Sequence, residues 1–132
     1  MKEIIPIALL GHMVTSTTTG TEKDLAYYYV SPGRREVMST MSVINQTGVA
    51  SDTGSVIVKL QSSATTVDTD FVDMSGFTFE SVADTDCTTT ASSNQVIYAG
   101  LPNDRYVRAV ATVTGTPKFA ISCCLDVVKR VS

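Results

Sequence analysis

The stretch RYVRAVATVTGTPKFAISCCLDVV, Arg105–Val128, decides how this chain is read. Val107, Ala109, Ala111 and Val113 alternate with Arg108, Val110, Thr112 and Thr114. After the Gly115–Pro117 turn, Phe119, Ile121, Cys123, Leu125 and Val127 alternate with Lys118, Ala120, Ser122, Cys124 and Asp126. Successive side chains on a strand point to opposite faces, so a period of two assigns one face of each run to a core. The pair reads as two strands folded back on each other in a hairpin about the Gly/Pro turn.

Outward from this stretch the same pattern recurs. Ser55–Ser62 places Val56, Val58 and Leu60 on one side. Glu36–Asn45 places Val37, Ser39, Met41 and Val43 on one side and Met38, Thr40, Ser42 and Ile44 on the other. Shorter extended runs cover residues 2–10, Leu25–Val30, Phe71–Met74, Phe77–Val82 and Gln95–Ala99, with Ser75-Gly76 separating two of them. Ser31-Pro32-Gly33 and Leu101-Pro102-Asn103-Asp104 are turn signals, and residues 15–22, 63–70 and 83–94 are polar connections. The sum is about eight short antiparallel strands with no amphipathic helix, the pattern of an all-β sandwich or barrel. At 132 residues the chain suits one domain, and residues 1–24 are either an extended N-terminal strand or an arm.

Composition narrows the function. A net charge of −3 and a pI near 4.9 argue against a phosphate-neutralising surface, so no nucleic-acid partner is expected. The opening MKEIIPIALLGHMV superficially looks like a secretion signal, but Glu3 and Pro6 interrupt it and no clear cleavage site follows. No apolar run approaches membrane-spanning length, so no membrane partner is expected. The three cysteines, Cys87, Cys123 and Cys124, are odd in number and unsuited to a disulfide framework. They fit synthesis in a reducing cytoplasm.

Catalytic chemistry is poorly supplied. His12 is the single histidine and lies beside Gly11, without a GxSxG elbow or a recognisable cysteine nucleophile motif, so the chain is read as non-enzymatic and cofactor-free. Asp68, Asp70 and Asp73 offer oxygen ligands of the kind calcium takes, but they lack the EF-hand pattern, and no metal is assigned. The pairs Asp68/Asp70 and Asp84/Asp86 read more simply as solubilising loop residues than as acid–base pairs. Asn45-Gln46-Thr47 matches a glycosylation sequon but is read as chance. Tyr27, Tyr28 and Tyr29 alternate faces if extended, so Tyr27 and Tyr29 form an exposed pair. That pair suits a protein interface or, alternatively, the sugar platform of a carbohydrate-binding or adhesin-type module.

Three segments in a fixed order carry a resemblance: SVIVKLQSS (Ser55–Ser63), a polar loop with VDTDFVDM (Val67–Met74), and LPNDRYVRAVATVTGTPKFAISCCLDV (Leu101–Val127). In that order they resemble the capsid cement, or decoration, proteins of tailed bacteriophages, across roughly the second half of the chain. The resemblance implies a jelly-roll sandwich on the outer capsid surface of a virion, made in the host cytoplasm. It implies binding to the major capsid protein, self-association as a dimer or trimer, and no enzymatic activity. The contact residues expected from the sequence are Tyr27, Tyr29, Arg34, Arg35, Arg105, Arg108 and Lys118, together with edge strands and the N-terminal segment.

Overall fold

The computed structural model describes residues 2–25, 36–45, 54–83, 93–100, 104–115 and 118–130. Among the described residues ten strands run in chain order: β1 (Lys2–Val14), β2 (Thr18–Thr19), β3 (Lys23–Asp24), β4 (Glu36–Asn45), β5 (Ser55–Ser63), β6 (Val72–Thr78), β7 (Val82–Ala83), β8 (Ser93–Gly100), β9 (Tyr106–Thr114) and β10 (Phe119–Arg130). They form two antiparallel sheets. One has the order β1-β10-β4-β8. The other follows β2-β9-β5-β6, with β3 also on β9 and β7 also on β5.

The two sheets close on one apolar core, which makes the molecule a β-sandwich. From the four-stranded sheet come Ile7, Leu9, Leu10, Val14, Met41, Val43, Phe119, Ile121, Cys123 and Leu125. From the other come Val56, Val58, Leu60, Met74, Phe77, Val107, Ala109 and Ala111. These are the inward positions of the alternating runs, because a pleated strand can turn only every second side chain to one face. Burying each large apolar side chain contributes ~1.5–3 kcal/mol, so Phe77, Phe119, Leu60 and Leu125, all fully covered, are principal anchors. Ser39 is the polar member of an inward row and is fully buried. Its hydroxyl donates to the Cys124 carbonyl at 3.0 Å, which removes the cost of an unpaired group there.

Val107, Ala109 and Ala111 and Phe119, Ile121, Cys123 and Leu125 are inward as the alternation predicts, although Arg108 and Val110 of the other set are buried too. The hairpin, however, does not form. β9 pairs with β5 (Val58↔Ala111, Leu60↔Ala109), and β10 pairs with β1 and β4 (Ile121↔Val43, Cys123↔Met41). The two strands belong to opposite sheets. Gly115, at φ 81°, follows β9 in a left-handed conformation that favours glycine, and by Phe119 the chain has crossed the sandwich. Both inward rows then face each other across the core, which a flat hairpin would not allow.

Two further differences have local causes. The runs Phe71–Met74 and Phe77–Val82 were expected as separate strands; Val72–Thr78 is instead one strand carrying an irregularity. Its register on β5 shifts between Lys59↔Thr78 and Gln61↔Asp73, and Gly76 takes φ 81° inside that shift. The extra residues allow Met74 and Phe77 both to reach the core. Near the start of the chain, β1 pairs with β10 from Lys2↔Arg130 to Val14↔Phe119 as an edge strand, with an irregularity between Ala8 and Leu10. Leu9 and Leu10 are both buried there.

Gly20, between β2 and β3, marks a close approach of the two sheets' backbones. Its N–H donates to the Ala109 carbonyl of β9 at 2.8 Å. A Cβ at this position would collide with the Leu9 carbonyl oxygen of β1 and lie 3.2 Å from the Ala109 oxygen. Only glycine fits between the two backbones. Among the described residues no helix is long and apolar enough to cross a membrane.

Candidate functional site

The two outer faces of the sandwich differ in chemistry. On the six-stranded sheet, β5 and β9 set Gln61 opposite Arg108, and β5 and β6 set Gln61 opposite Asp73. The Gln61 amide therefore lies between a cation and an anion. Its Oε1 accepts from Arg108 Nε at 2.9 Å and its Nε2 donates to Asp73 Oδ1 at 2.9 Å. Lys59 Nζ reaches the other Asp73 oxygen at 3.0 Å. The Gln61 hydrogen bond, and then the Lys59 ammonium, hold the Asp73 carboxyl below its ordinary range.

A turn over residues 64–71 folds back on this face. Its local bonds come from hydroxyls: Thr65 N–H donates to Ser63 Oγ at 3.0 Å, and Val67 N–H to Thr65 Oγ1 at 3.2 Å. Such side-chain turns favour Ser and Thr in non-helical segments. The turn ends in a single 3-10 turn over Asp68–Asp70. It delivers Asp68 to Arg108 (Nη1–Oδ1 2.5 Å) and sets Phe71 beneath the guanidinium, 4.1 Å from the ring centroid. Arg108 is pinned by a carboxylate, an amide and a ring, and its side chain is 11% exposed. Asp68 is 83% exposed, so water screens that ion pair; the stacking on Phe71 and the Gln61 bond are its better-protected contacts.

The predicted contact residues separate into two groups. Tyr27, Tyr29, Arg34 and Arg35 lie outside the described residues, as do Tyr28, Asp84, Asp86, Cys87, and Gln46 and Thr47 of the sequon. Arg108 faces outward as alternation requires but is covered. Arg105 forks onto Asp24 (Nε–Oδ1 2.9 Å, Nη2–Oδ2 2.7 Å) and lies 5.2 Å over the Tyr106 ring. Lys118 is exposed at the head of β10. The fold does not gather Arg105 and Arg108 into one open basic patch. Nor do the three aspartates converge: Asp68 is on Arg108, Asp70 accepts from Thr65 at 2.6 Å, and Asp73 is on Gln61 and Lys59. Among the described residues no three His, Cys, Asp or Glu side chains form a group that holds a metal. His12 lies in β1 at the register position opposite Ile121.

The described middle of the outer face of the four-stranded sheet is uncharged. Its cross-strand rows run Ala8–Cys124–Thr40–Val96 and Gly11–Ser122–Ser42–Asn94, followed by Ala120 beside Ile44. Asp126, half-buried, is the one charge among the described side chains within the strands of this face, and the exposed Lys118 precedes β10 on the same alternate set. Val96 is 63% exposed, the largest value among the described large apolar residues. The signal was present in the sequence as the uncharged positions Thr40, Ser42 and Ile44 and Ala120, Ser122 and Cys124, but those read as the unremarked backs of core strands. The partners of Arg108 carried no such signal, because Gln61, Asp68 and Phe71 meet it only through pairing of β5 with β9 and the return of the turn.

Between the two sheets, beside β8, an open groove of ≈ 420 Å³ is lined by Thr78, Phe79, Glu80, Gln95, Val96 and Ile97. Gln95 bridges it. Its Oε1 accepts from the Glu80 N–H at 2.8 Å, and its Nε2 donates to the Glu80 carbonyl at 3.1 Å. One side-chain amide thus meets a backbone N–H and C=O as a neighbouring strand would, and ties the edge of one sheet to the other. The vicinal thiols divide across β10. Cys123 points into the core, where burial pushes it up to about 12; Cys124 is half-exposed on the uncharged face. Comparison with protein-family models, with curated proteins and with solved structures found no match to the chain.

Proposed function

We propose that the chain is a phage virion structural protein, non-enzymatic and cofactor-free, that binds the outer capsid surface and cements neighbouring major capsid subunits. The observation that carries the reading is the strand order. The chain alternates between the sheets β1-β10-β4-β8 and β2-β9-β5-β6, and we read this order as a jelly roll of two interleaved Greek keys. The segments that resemble decoration proteins form its central strands: Ser55–Ser63 is β5, and Tyr106–Thr114 and Phe119–Arg130 are β9 and β10.

The physics of cementing suits such a module. Packaged DNA presses a shell outward, and a binder spanning two subunits adds a free energy that their separation must overcome. Each contact can be modest, because a lattice of multivalent contacts accumulates strength. The paired state of Lys59, Arg105 and Arg108 supports a protein partner over nucleic acid, since each already has a carboxylate. The rival sugar-platform reading needs open aromatic faces. Phe71 and Tyr106 are each capped by an arginine, which argues against them in that role.

The test is location and effect. Purified virions are expected to contain the protein in many copies, and particles stripped of it are expected to fail earlier under heat or osmotic shock. Absence from particles, or unchanged shell stability after stripping, overturns the proposal.

A further inference from the structure

We propose that the outer face of the four-stranded sheet is the self-association surface of this protein, docking on the same face of a second copy about a two-fold axis. The argument begins with charge. The chain carries −3, so two copies repel unless they meet where little charge is buried. On the other outer face Lys59, Asp73, Arg108 and Asp68 are paired within one chain, and a second copy there must desolvate those pairs at a cost. At the middle of the β1-β10-β4-β8 face the described side chains, Ala8, Thr40, Ser42, Ser122, Cys124, Asn94 and Val96, carry no charge; Asp126 lies further along β10 and Lys118 just before it. Depletion of charge is what marks the centre of a protein interface.

Edge-to-edge association is the obvious competitor, and the described edges are blunted against it. β1 carries Pro6, which has no N–H to donate, and an irregularity between Ala8 and Leu10. β8 is tied at Gln95 to the Glu80 backbone. On the other sheet β2 and β3 are two residues long, and β6 is broken in register at its middle. The face remains. Ala8, Ser122, Thr40 and Ser42 keep its profile low, so two copies can approach to the ordinary spacing of stacked sheets.

Its size is adequate. Four strands ~4.8 Å apart, with β4 at ten residues of ~3.3 Å each, give roughly 600 Å² per copy and about 1,200 Å² in all, the lower bound of stable specific interfaces. A pair of identical faces makes an isologous dimer, with self-complementary rows around Ser122 and Cys124 near the axis.

The inference does not rest on the capsid reading and is tested without a shell. Sedimentation equilibrium of the full chain is expected to show a reversible monomer–dimer equilibrium. Ser122→Arg puts a like charge on both copies at the buried centre, and it is expected to weaken the dimer about 100-fold without changing the thermal midpoint of the monomer. Ile57→Arg, on the opposite outer face, is expected to leave the dimer intact. In a Cys87→Ser background, Cys124 is expected to lose reactivity toward a maleimide as protein concentration rises, which reads the unaltered surface. A wild type that stays monomeric, a dimer that survives Ser122→Arg, or one that dissociates in Ile57→Arg overturns the proposal. A monomer whose binding to isolated shells is lost in Ser122→Arg overturns it in favour of a capsid subunit as occupant.

Discussion

The two outer faces of this sandwich are built on strands of similar alternation, yet they reach different ends. On the six-stranded side the outward positions hold Lys59, Gln61, Asp73 and Arg108, and a turn folds over them until the charges answer one another. On the four-stranded side the described outward positions are small or uncharged through the middle, Ala8, Gly11, Thr40, Ser42, Ser122, Cys124, Asn94 and Val96, with Asp126 further along β10, and the described turns leave them uncovered. A face with charge satisfies itself locally. A face whose middle carries no charge has little local to satisfy there and is cheap to desolvate. The difference teaches that alternation assigns a side chain to a face but does not say whether that face is finished.

The sharpest contrast is between adjacent thiols. Cys123, with burial raising it to about 12, is ~10⁻⁴ ionised at pH 8, and the thiolate is the reactive form. In dilute native Cys87→Ser protein, Cys124 is expected to label with a maleimide orders of magnitude faster than Cys123, and both are expected to label in denaturant. Equal native rates, resolved by peptide mass, break the assignment of β10's two sides.

Next come two glycines near β1. Gly20→Ala forces a Cβ into the Leu9 carbonyl where the backbones of the two sheets come close and is expected to cost ~2 kcal/mol or more by urea unfolding. Gly11→Ala, on the uncharged face with nothing within 4 Å of the new Cβ, is expected to stay within ~0.5 kcal/mol of wild type. A tolerated Gly20→Ala would mean the sheets are not held together there.

Arg108→Ala strips the covered face of its centre. It leaves Phe71 unstacked and Gln61 Oε1 without its donor, and is expected to cost ~1–3 kcal/mol. The 64–71 turn is expected to become more protease-sensitive. Ser42→Ala on the other face is the control, expected near zero. Similar costs for the two variants would erase the contrast between faces.

The smallest effect is in pH. Asp73 has its folded value lowered by Gln61 and Lys59, so its contribution is present above the unfolded carboxylate value of ~3.9 and is lost as pH falls through the lower folded value. With its side chain 55% exposed, solvent screening keeps the effect small. Asp73→Asn is expected to flatten the acid limb of stability against pH, measured by chemical denaturation. An unchanged slope would mean that the Asp73 contacts contribute nothing in solution.

Much of this was legible in particular residues. Val56, Val58 and Leu60, Val107, Ala109 and Ala111, and Phe119, Ile121, Cys123 and Leu125 are all inward, as their spacing predicts. Arg108 shows where that legibility stops. Its outward direction followed from alternation, but its cover came from residues 37–47 positions away in the chain. The uncharged face was written in Thr40, Ser42, Ala120 and Ser122, yet its meaning depended on which strands lie side by side.

The sequence by itself therefore determined strand identity and the two sides of each strand, because a period of two follows from the covalent geometry of an extended chain. Tertiary structure decided which strands are neighbours. It placed β9 and β10 in opposite sheets rather than in a hairpin, joined Met74 and Phe77 into one irregular strand, and laid a polar turn over one outer face. Those outcomes depend on burying two apolar rows against each other at once, and no local pattern specifies that the rows of Val107 and Phe119 must meet across a core instead of lying side by side.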